Sequence, residues 1–411
     1  MHIDGDAFFA ACEVSRRPDL RGKPVIVGAE KGIATALSYE AKALGVTRTM
    51  PVFQIRKYWP QVVCLPADFD LYTEMSLRMK TIMRRFVSQL EEYSVDECFA
   101  DITDDVAHLK PEQYISFAAT IQNTLEAELG ITYSIGIGGT KVRAKIASKQ
   151  KKPKGITFLD EKAFMQIAQT MSVGSVWGIG KSAVSDFALK GISTVADFMN
   201  LREGLVQEQF SKPHQELWHE LHGRSVLGVN TEHEMQKSFQ HTRMFDRPQK
   251  LPDPILAELA YHTEIVCERA RYHASEGNKI YWFLKTSNMQ YIRDEFTLPR
   301  ATATPSECMS ILRKRFSSVF IPGLMYRSSG VTLAGMVPQD MQTGDLFMQK
   351  SKEEERAQKQ TGQTVYDVAD TLQAKYGKRL VHLASSLKSK TSQHDAENAQ
   401  QFPLIFLGDV H

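Results

Sequence analysis

Tyr93-Ser94-Val95-Asp96-Glu97-Cys98-Phe99-Ala100-Asp101 sets two adjacent carboxylates ahead of a short apolar run, and His2-Ile3-Asp4-Gly5-Asp6-Ala7-Phe8-Phe9-Ala10 sets two more at the start of the chain. In a regular strand Asp4 and Asp6 share a face, whereas Asp96 and Glu97 point to opposite faces. The latter pair can therefore act at one place only at a hairpin turn or a strand end. Three carboxylates brought together repel by about 4 kcal/mol per close pair at an effective dielectric of about 20, so a gathering of Asp4, Asp96 and Glu97 makes sense as a cage for divalent cations. Taken alone, an Asp-Glu dipeptide is more often a polar turn.

The surrounding pattern is that of mixed strands and helices. Residues 2–10 read as a strand running into the helical stretch Phe9 to Ser15, and with three residues before Asp4 that strand is short. Lys23 to Gly28 reads as a short buried strand behind the Arg21-Gly22 turn, and a helix around Ser38 to Leu44 is capped by Gly45. Apolar spacing of three and four predicts one long amphipathic helix from Asp70 to Leu90, with strand character returning over Val95 to Ile102. A helix over 111–129, a strand over Tyr133 to Gly139 and a basic helix from Thr140 to Lys149 complete an α+β sheet domain.

From Glu161 to about Arg224 short helices broken by Gly and Pro predict a small helical domain, and residues 225–235 read as a linker. Strands Lys279 to Lys285 and Ser328 to Leu333, with helices over 253–272 and 305–316, predict a second α+β unit. Beyond Gln339 the chain turns polar, with the charge run Lys350 to Arg356, before a small helix and strand over Thr364 to Leu383.

Bulk properties fit this organisation. A chain of 411 residues, 42% hydrophobic and 24% charged, reads as an ordinary globular protein of about three or four domains. A net charge of +2 leaves room for local basic stripes. Five scattered cysteines without a CxxC pair suggest neither a zinc site nor a disulfide framework and fit a reducing cytoplasm. Asp4 and Asp6 within the first apolar run argue against a secretory apolar region, and no stretch approaches the roughly 20 apolar residues of a membrane span.

With these flanks the two acidic motifs, in this order, closely resemble those of the Y-family DNA polymerases, which perform translesion synthesis; the resemblance runs through about residue 340. It implies a right-hand polymerase: an α+β multi-domain fold with a palm (1–22 and 66–165), fingers (23–65), a helical thumb (166–232), an α+β little-finger domain (233–340), and a tail (341–411). It implies that Asp4, Asp96 and Glu97 are catalytic and hold two Mg²⁺ ions with the Gly5 carbonyl, and that Asp6 is not a ligand. The ions would lower the pKa of a primer 3′-hydroxyl and stabilise charge on the transferring phosphoryl group and pyrophosphate. Asp101 is expected to be structural.

Further residues follow by matching. Phe9 takes the place of the aromatic steric gate against a ribose 2′-hydroxyl, while Phe8 suits core packing. Tyr39 and Lys42 stand where the family contacts the incoming triphosphate with Tyr and Arg; Lys42 replaces a bidentate fork by a point charge. Seven Lys or Arg lie between Lys141 and Lys154 with no acid among them, and Lys152, before Pro153, matches the lysine that reaches the nucleotide. Trp177-Gly178-Ile179-Gly180-Lys181 resembles a helix-hairpin-helix, in which Gly178, Gly180 and Lys181 would meet a DNA phosphate.

In 237–335 there are 14 Lys or Arg against 9 Asp or Glu, an excess suited to backbone contact. Gln342-Thr343-Gly344-Asp345-Leu346-Phe347 resembles a sliding-clamp-binding peptide anchored by Gln342, Leu346 and Phe347, with Thr at its second position instead of Leu. Residues 364–377 and Val176 to Gly180 resemble the UmuC-like branch more than the DinB-like one. The implied partners are primer–template DNA, dNTP, a sliding clamp and an SOS-type activating protein, with no membrane. The implied activity is error-prone extension opposite damaged template in DNA repair. A catalytically idle DNA-binding accessory of the same fold has no reason to keep a costly acidic cluster, and a palm-type nucleotidyl cyclase leaves the helix-hairpin-helix unexplained.

Overall fold

Strand β1 (His2–Gly5) leads through Ala7, which takes φ 51°, into α1 (Phe8–Arg16). There follow β2 (Val25–Val27), β3 (Ala36–Leu37), α2 (Tyr39–Ala43), α3 (Val52–Tyr58), β4 (Val63–Leu65), α4 (Phe69–Met83), β5 (Gln89–Glu92), β6 (Glu97–Asp101), α5 (Tyr114–Leu129), β7 (Tyr133–Gly138), α6 (Lys141–Lys149) and β8 (Ile156–Leu159). In this computed structural model residues 1–232, 235–339, 365–376 and 381–386 are described. Two compact units divide the chain, Met1–His233 and Glu234–His411.

In the first unit β1 is the central strand of a sheet ordered β5-β6-β1-β7-β8, antiparallel to both neighbours. Its core gathers Ile3, Phe8 and Cys12 with Tyr72, Met79, Ile121 and Leu125 from α4 and α5. A small sheet ordered β3-β2-β4 carries its own cluster of Ile26, Leu37, Val52 and Ile55. Five helices follow β8: α7 (Glu161–Thr170), α8 (Lys181–Leu189), α9 (Val195–Met199), α10 (Glu203–Gln209) and α11 (Lys212–Leu221). Their core, around Phe164, Phe187, Phe198 and Trp218, also takes in Val142, Ile146 and Ala147 of α6, which ties the helical region to the five-stranded sheet.

Helix α6 sits unusually close to β7. A Cβ on Gly136 would fall inside the radius of the Ala144 carbonyl oxygen and the Ser148 nitrogen, and one on Gly138 would lie 2.8 Å from the Ala144 nitrogen. Thr140 caps the helix by accepting from Arg143 N at 3.3 Å.

The second unit consists of β9 (Ser238–Gln249), α12 (Pro252–Tyr272), β10 (Ser275–Thr286), β11 (Tyr291–Thr302), α13 (Pro305–Val319) and β12 (Tyr326–Pro338). Its sheet is ordered β11-β10-β12-β9, and α12 and α13 cover the face that bears Ile280, Trp282, Leu284 and Phe296. By strand alternation Lys279, Tyr281, Lys285, Tyr291 and Arg293 belong to the other face. There Lys285 and Arg293 lie 4.7 and 4.9 Å from the Tyr291 ring centre. A helix over 365–376 docks on this unit through Arg271, which donates from Nε and Nη2 to Asp370 at 2.6 and 2.8 Å.

Several expectations are corrected. The helix expected to reach Leu90 ends at Met83, because Gln89–Glu92 pairs with β6 and Leu90 enters the same core from an edge strand. Strands β8, β9 and β11 were not anticipated. No strand occurs among the described residues of 364–383, where 381–383 have no regular structure. The clamp-like peptide Gln342 to Phe347 lies outside the described residues. Among those described, no helix is long and apolar enough to cross a membrane.

Candidate active site

The register of β1 against β6 places Asp4 opposite Glu97, on one face of the sheet, with His2 opposite Phe99. Ligand atoms of His2, Asp4 and Glu97 all lie within 4.8 Å of one another. Asp96 is not in this group. It occupies the turn before β6, where Ser94 N donates to Glu97 O at 3.0 Å and Gly5 N donates to Asp96 O at 2.8 Å. Its Oδ1 accepts from Ser94 Oγ at 3.0 Å.

Each clustered acid carries a cation. Lys152 Nζ pairs with Asp4 Oδ1 and stands 3.7 Å from Asp6 Oδ1. Lys145 Nζ donates to Glu97 Oε2 at 2.6 Å, and His2 Nε2 donates to the same oxygen at 2.8 Å. Burial pushes the Asp4 carboxyl above its ordinary range against the pull of Lys152. Burial acts the same way on Glu97, but the hydrogen bonds from His2 and Lys145 outweigh it and bring that group down to about 2. Burial holds His2 below its usual value. With its Nε2 on Glu97 and its Nδ1 2.8 Å from Ser148 Oγ, His2 is held on both ring nitrogens and supports Glu97.

The donor chemistry fits a hard divalent ion. Asp4 and Glu97 are oxygen donors on one face, and each carboxylate is paired with a lysine Nζ. Asp6, in contrast, is buried and saturated. It accepts from Ser134 Oγ at 2.8 Å, Lys154 N at 2.7 Å and Tyr39 OH at 3.4 Å. Asp101 accepts from Thr103 N at 3.0 Å and Thr103 Oγ1 at 2.6 Å at the far end of β6.

The remaining expected residues fall into separate places. Phe9 is half-buried and stacks on Tyr72, centroids 4.3 Å apart, while Phe8 is buried in the core. Lys42 Nζ lies 4.2 Å from the centre of the Tyr39 ring, and its pKa is lowered by burial and by the charges of Arg48 and Lys152. Tyr39, Lys42 and Lys152 thus converge near Asp4 and Asp6. Gly178 takes φ +90°, and Gly180 precedes α8 with nothing within 4 Å of a hypothetical Cβ; Lys181 is exposed.

The basic run Lys141–Lys154 is mostly an internal clamp. Arg143 is buried against Glu161 and Leu221 O, Lys141 donates to Glu91 at 2.6 Å, and Lys145 serves Glu97. His2, Tyr72, Lys145 and Ser148 are the site residues that sequence reasoning missed. The one available signal was that His2 and Asp4 share a strand face.

Two family models match the chain: the impB/mucB/samB family over residues 3–149 and the impB/mucB/samB family C-terminal domain over residues 236–346. The chain is 30% identical to DNA polymerase IV of Moorella thermoacetica over 395 residues, covering 93% of this chain and 95% of that protein. It is 29% identical to DNA polymerase IV of Lactococcus lactis subsp. cremoris over 342 residues, covering 82% and 93%. Among solved structures, a Y-family DNA polymerase chimera of Dbh and Dpo4 superposes with a TM-score of 0.69 at 19% identity, covering 82% of this chain and 98% of that one, a likeness of fold.

Proposed function

The chain belongs to the Y family of DNA polymerases, and we propose that it extends a primer opposite damaged template by phosphoryl transfer at Asp4, Asp96 and Glu97. The observation that carries this reading is the in-register pairing of Asp4 with Glu97 on the adjacent strands β1 and β6, each carboxylate already facing a lysine. A scaffold gains nothing from holding half-buried like charges together.

Asp4, Asp96, Glu97 and the Gly5 carbonyl would hold two Mg²⁺ ions, which when bound supply charge neutralisation at the transferring phosphoryl group and activate the primer hydroxyl. The chain's own groups do the positioning. Tyr39, Lys42 and Lys152 form the basic end that takes the triphosphate, with Arg48 adding the guanidinium that position 42 lacks. Phe9, braced by Tyr72, stands as the sugar gate. The turn at Gly178 and Gly180, of which Gly180 is open to close approach, and Lys181 would take a DNA phosphate.

On this reading residues 1–22 and 66–165 are palm, 23–65 fingers, 166–232 thumb and 233–340 little finger. The face of the second sheet bearing Tyr281, Lys285, Tyr291 and Arg293 would follow the duplex backbone. Gln342, Leu346 and Phe347 would bind a sliding clamp, and an SOS-type activator remains part of the proposal. The relatives named above are DNA polymerase IV, so they support the DinB-like branch over the UmuC-like one. With DNA as substrate, the protein would work in the cytoplasm of a bacterial cell.

Primer extension on an abasic template with Mg²⁺ tests the reading. Wild-type chain should incorporate nucleotides, and Asp96→Ala and Glu97→Ala should abolish incorporation. DNA binding with no incorporation, even with clamp and activating partners added, would make the protein the idle accessory.

A further inference from the structure

We propose that Lys145 is a positioning residue that aims Glu97 at the reacting centre, and that it does so from a box of three aromatic rings closed by Trp177 of the helical region. The inference rests on the polymerase reading and adds to it a link between that region and a catalytic carboxylate.

The geometry is specific. Lys145 Nζ lies 4.5 Å from the centre of the Tyr93 ring, 5.3 Å from that of Trp177 and 5.6 Å from that of Phe99, while donating to Glu97 Oε2 at 2.6 Å. The rings also brace one another. Tyr93 meets Trp177 edge-on at 5.3 Å and Phe99 edge-on at 5.4 Å, and Phe99 lies 5.8 Å from Trp177. Trp177 Nε1 donates to Tyr93 OH at 2.8 Å, which fixes the box across 84 residues of chain.

An ammonium group facing aromatic rings is held by their quadrupoles without giving up its hydrogen-bond donors, and the side chain of Lys145 is only 7% exposed. Glu97 Oε2 therefore receives two fixed donors, Lys145 from α6 and His2 from β1, and the carboxylate plane cannot turn without displacing one of them. Oε1 is left for the reacting centre. A lysine serving only solubility or helix charge would not be buried among three rings and an acid.

Trp177 precedes Gly178 in the turn assigned to a DNA phosphate. A shift of that turn on DNA moves one wall of the box, and the box holds the cation that orients Glu97. The region that grips the duplex is thereby coupled to the catalytic acid through Tyr93 and Lys145.

The test uses the full chain in two measurements: single-nucleotide insertion on an undamaged primer–template, and Mn²⁺ binding without DNA or nucleotide, followed by the electron paramagnetic resonance signal of free ion. Lys145→Met should lower kcat about tenfold or more with the dNTP KM held within about twofold, the scale found when a supporting partner of a ligand is lost. Mn²⁺ affinity should be equal or higher, because a competing cation has gone. Lys145→Arg should restore most of kcat, and Trp177→Leu, which opens the box with the cation in place, should lower kcat at unchanged Mn²⁺ affinity.

A Lys145→Met kcat within about twofold of wild type, or Mn²⁺ binding weakened as much as by Glu97→Gln, overturns the proposal. If Lys145→Met melts early by circular dichroism, Trp177→Leu decides by the same criteria. A wild-type chain that binds Mn²⁺ but inserts nothing strikes the polymerase reading instead.

Discussion

The ring of Phe9 lies on the ring of Tyr72 at a centroid distance of 4.3 Å and an angle of 14°. Tyr72 is itself fixed by donating from its hydroxyl to Glu13 at 2.9 Å, so the half-buried Phe9 has a rigid wall behind it. Phe9→Ala should therefore raise ribonucleotide insertion relative to deoxyribonucleotide by about tenfold or more, the scale on which one steric contact discriminates. Tyr72→Ala should raise it by a smaller factor, by letting Phe9 retreat. Unchanged sugar discrimination in both variants would reduce Phe9 to a packing residue.

Gly136 is where β7 and α6 touch backbone to backbone. Gly136→Ala must push α6 outward, and α6 carries Lys145 and Ser148. The expected outcome is a loss of about 1–3 kcal/mol in chemical denaturation, typical of overpacking, together with a fall in insertion rate. Gly139→Ala is the control, since nothing lies within 4 Å of its added Cβ.

His262 gives the second unit a pH dependence. It is fully buried between α12 and the sheet, with Nδ1 2.7 Å from His241 Nδ1 and Nε2 3.0 Å from Ser329 Oγ. Burial, with the charges of His241 and Arg243, drives its pKa well below the ordinary value. The unfolded chain then binds a proton that the native state refuses, so its contribution to stability is present above a pH of about 6.5 and is lost as the pH falls below it, by at most about 1.4 kcal/mol per pH unit. Urea denaturation at a pH of about 5.5 and of about 7.5 should show this slope, and His262→Gln should flatten it. An unchanged slope would assign the titration elsewhere.

The Arg271–Asp370 pair is mostly buried on the arginine side and fastens the 365–376 helix, with Gln373 Nε2 donating to Glu268 at 2.6 Å. Arg271→Ala should cost about 2 kcal/mol of local stability, the scale of hydrogen bonds to charged groups. Hydrogen exchange in 365–376 should accelerate while α12 itself stays protected. Equal protection in both proteins would mean that apolar contacts alone hold the helix.

Much of this site was legible because its chemistry is written in local runs. Asp4, Asp96, Glu97 and Lys152 stand in short motifs, and the need for Asp96 and Glu97 to break strand alternation anticipated a turn at residue 96. What escaped was three-dimensional by nature. His2 and Lys145 meet at Glu97 from a strand and a helix far apart in sequence. Most of the basic run looked like a surface because its acidic partners Glu91, Glu97 and Glu161 lie elsewhere in the chain. Strand β9 was hidden because His241 and Arg243 alternate inward with Phe239 and Phe245, so its buried face does not read as apolar. Edge strand β5 was absorbed into the periodicity of α4, since Val87 and Leu90 continue the helical spacing into the same core.

The order of strands in the first sheet carries a cost in time. Residues 2–5 form the central strand, yet their partners are residues 97–99 on one side and 133–136 on the other. Residues 2–5 thus wait in the nascent chain as a strand with two bare edges until residues 97–99 follow. The β2–β4 sheet and its core can close within residues 25–65 during that wait. Asp4 and Glu97 come opposite each other only once β6 has been made, so a chain cut short before residue 97 holds no such carboxylate pair.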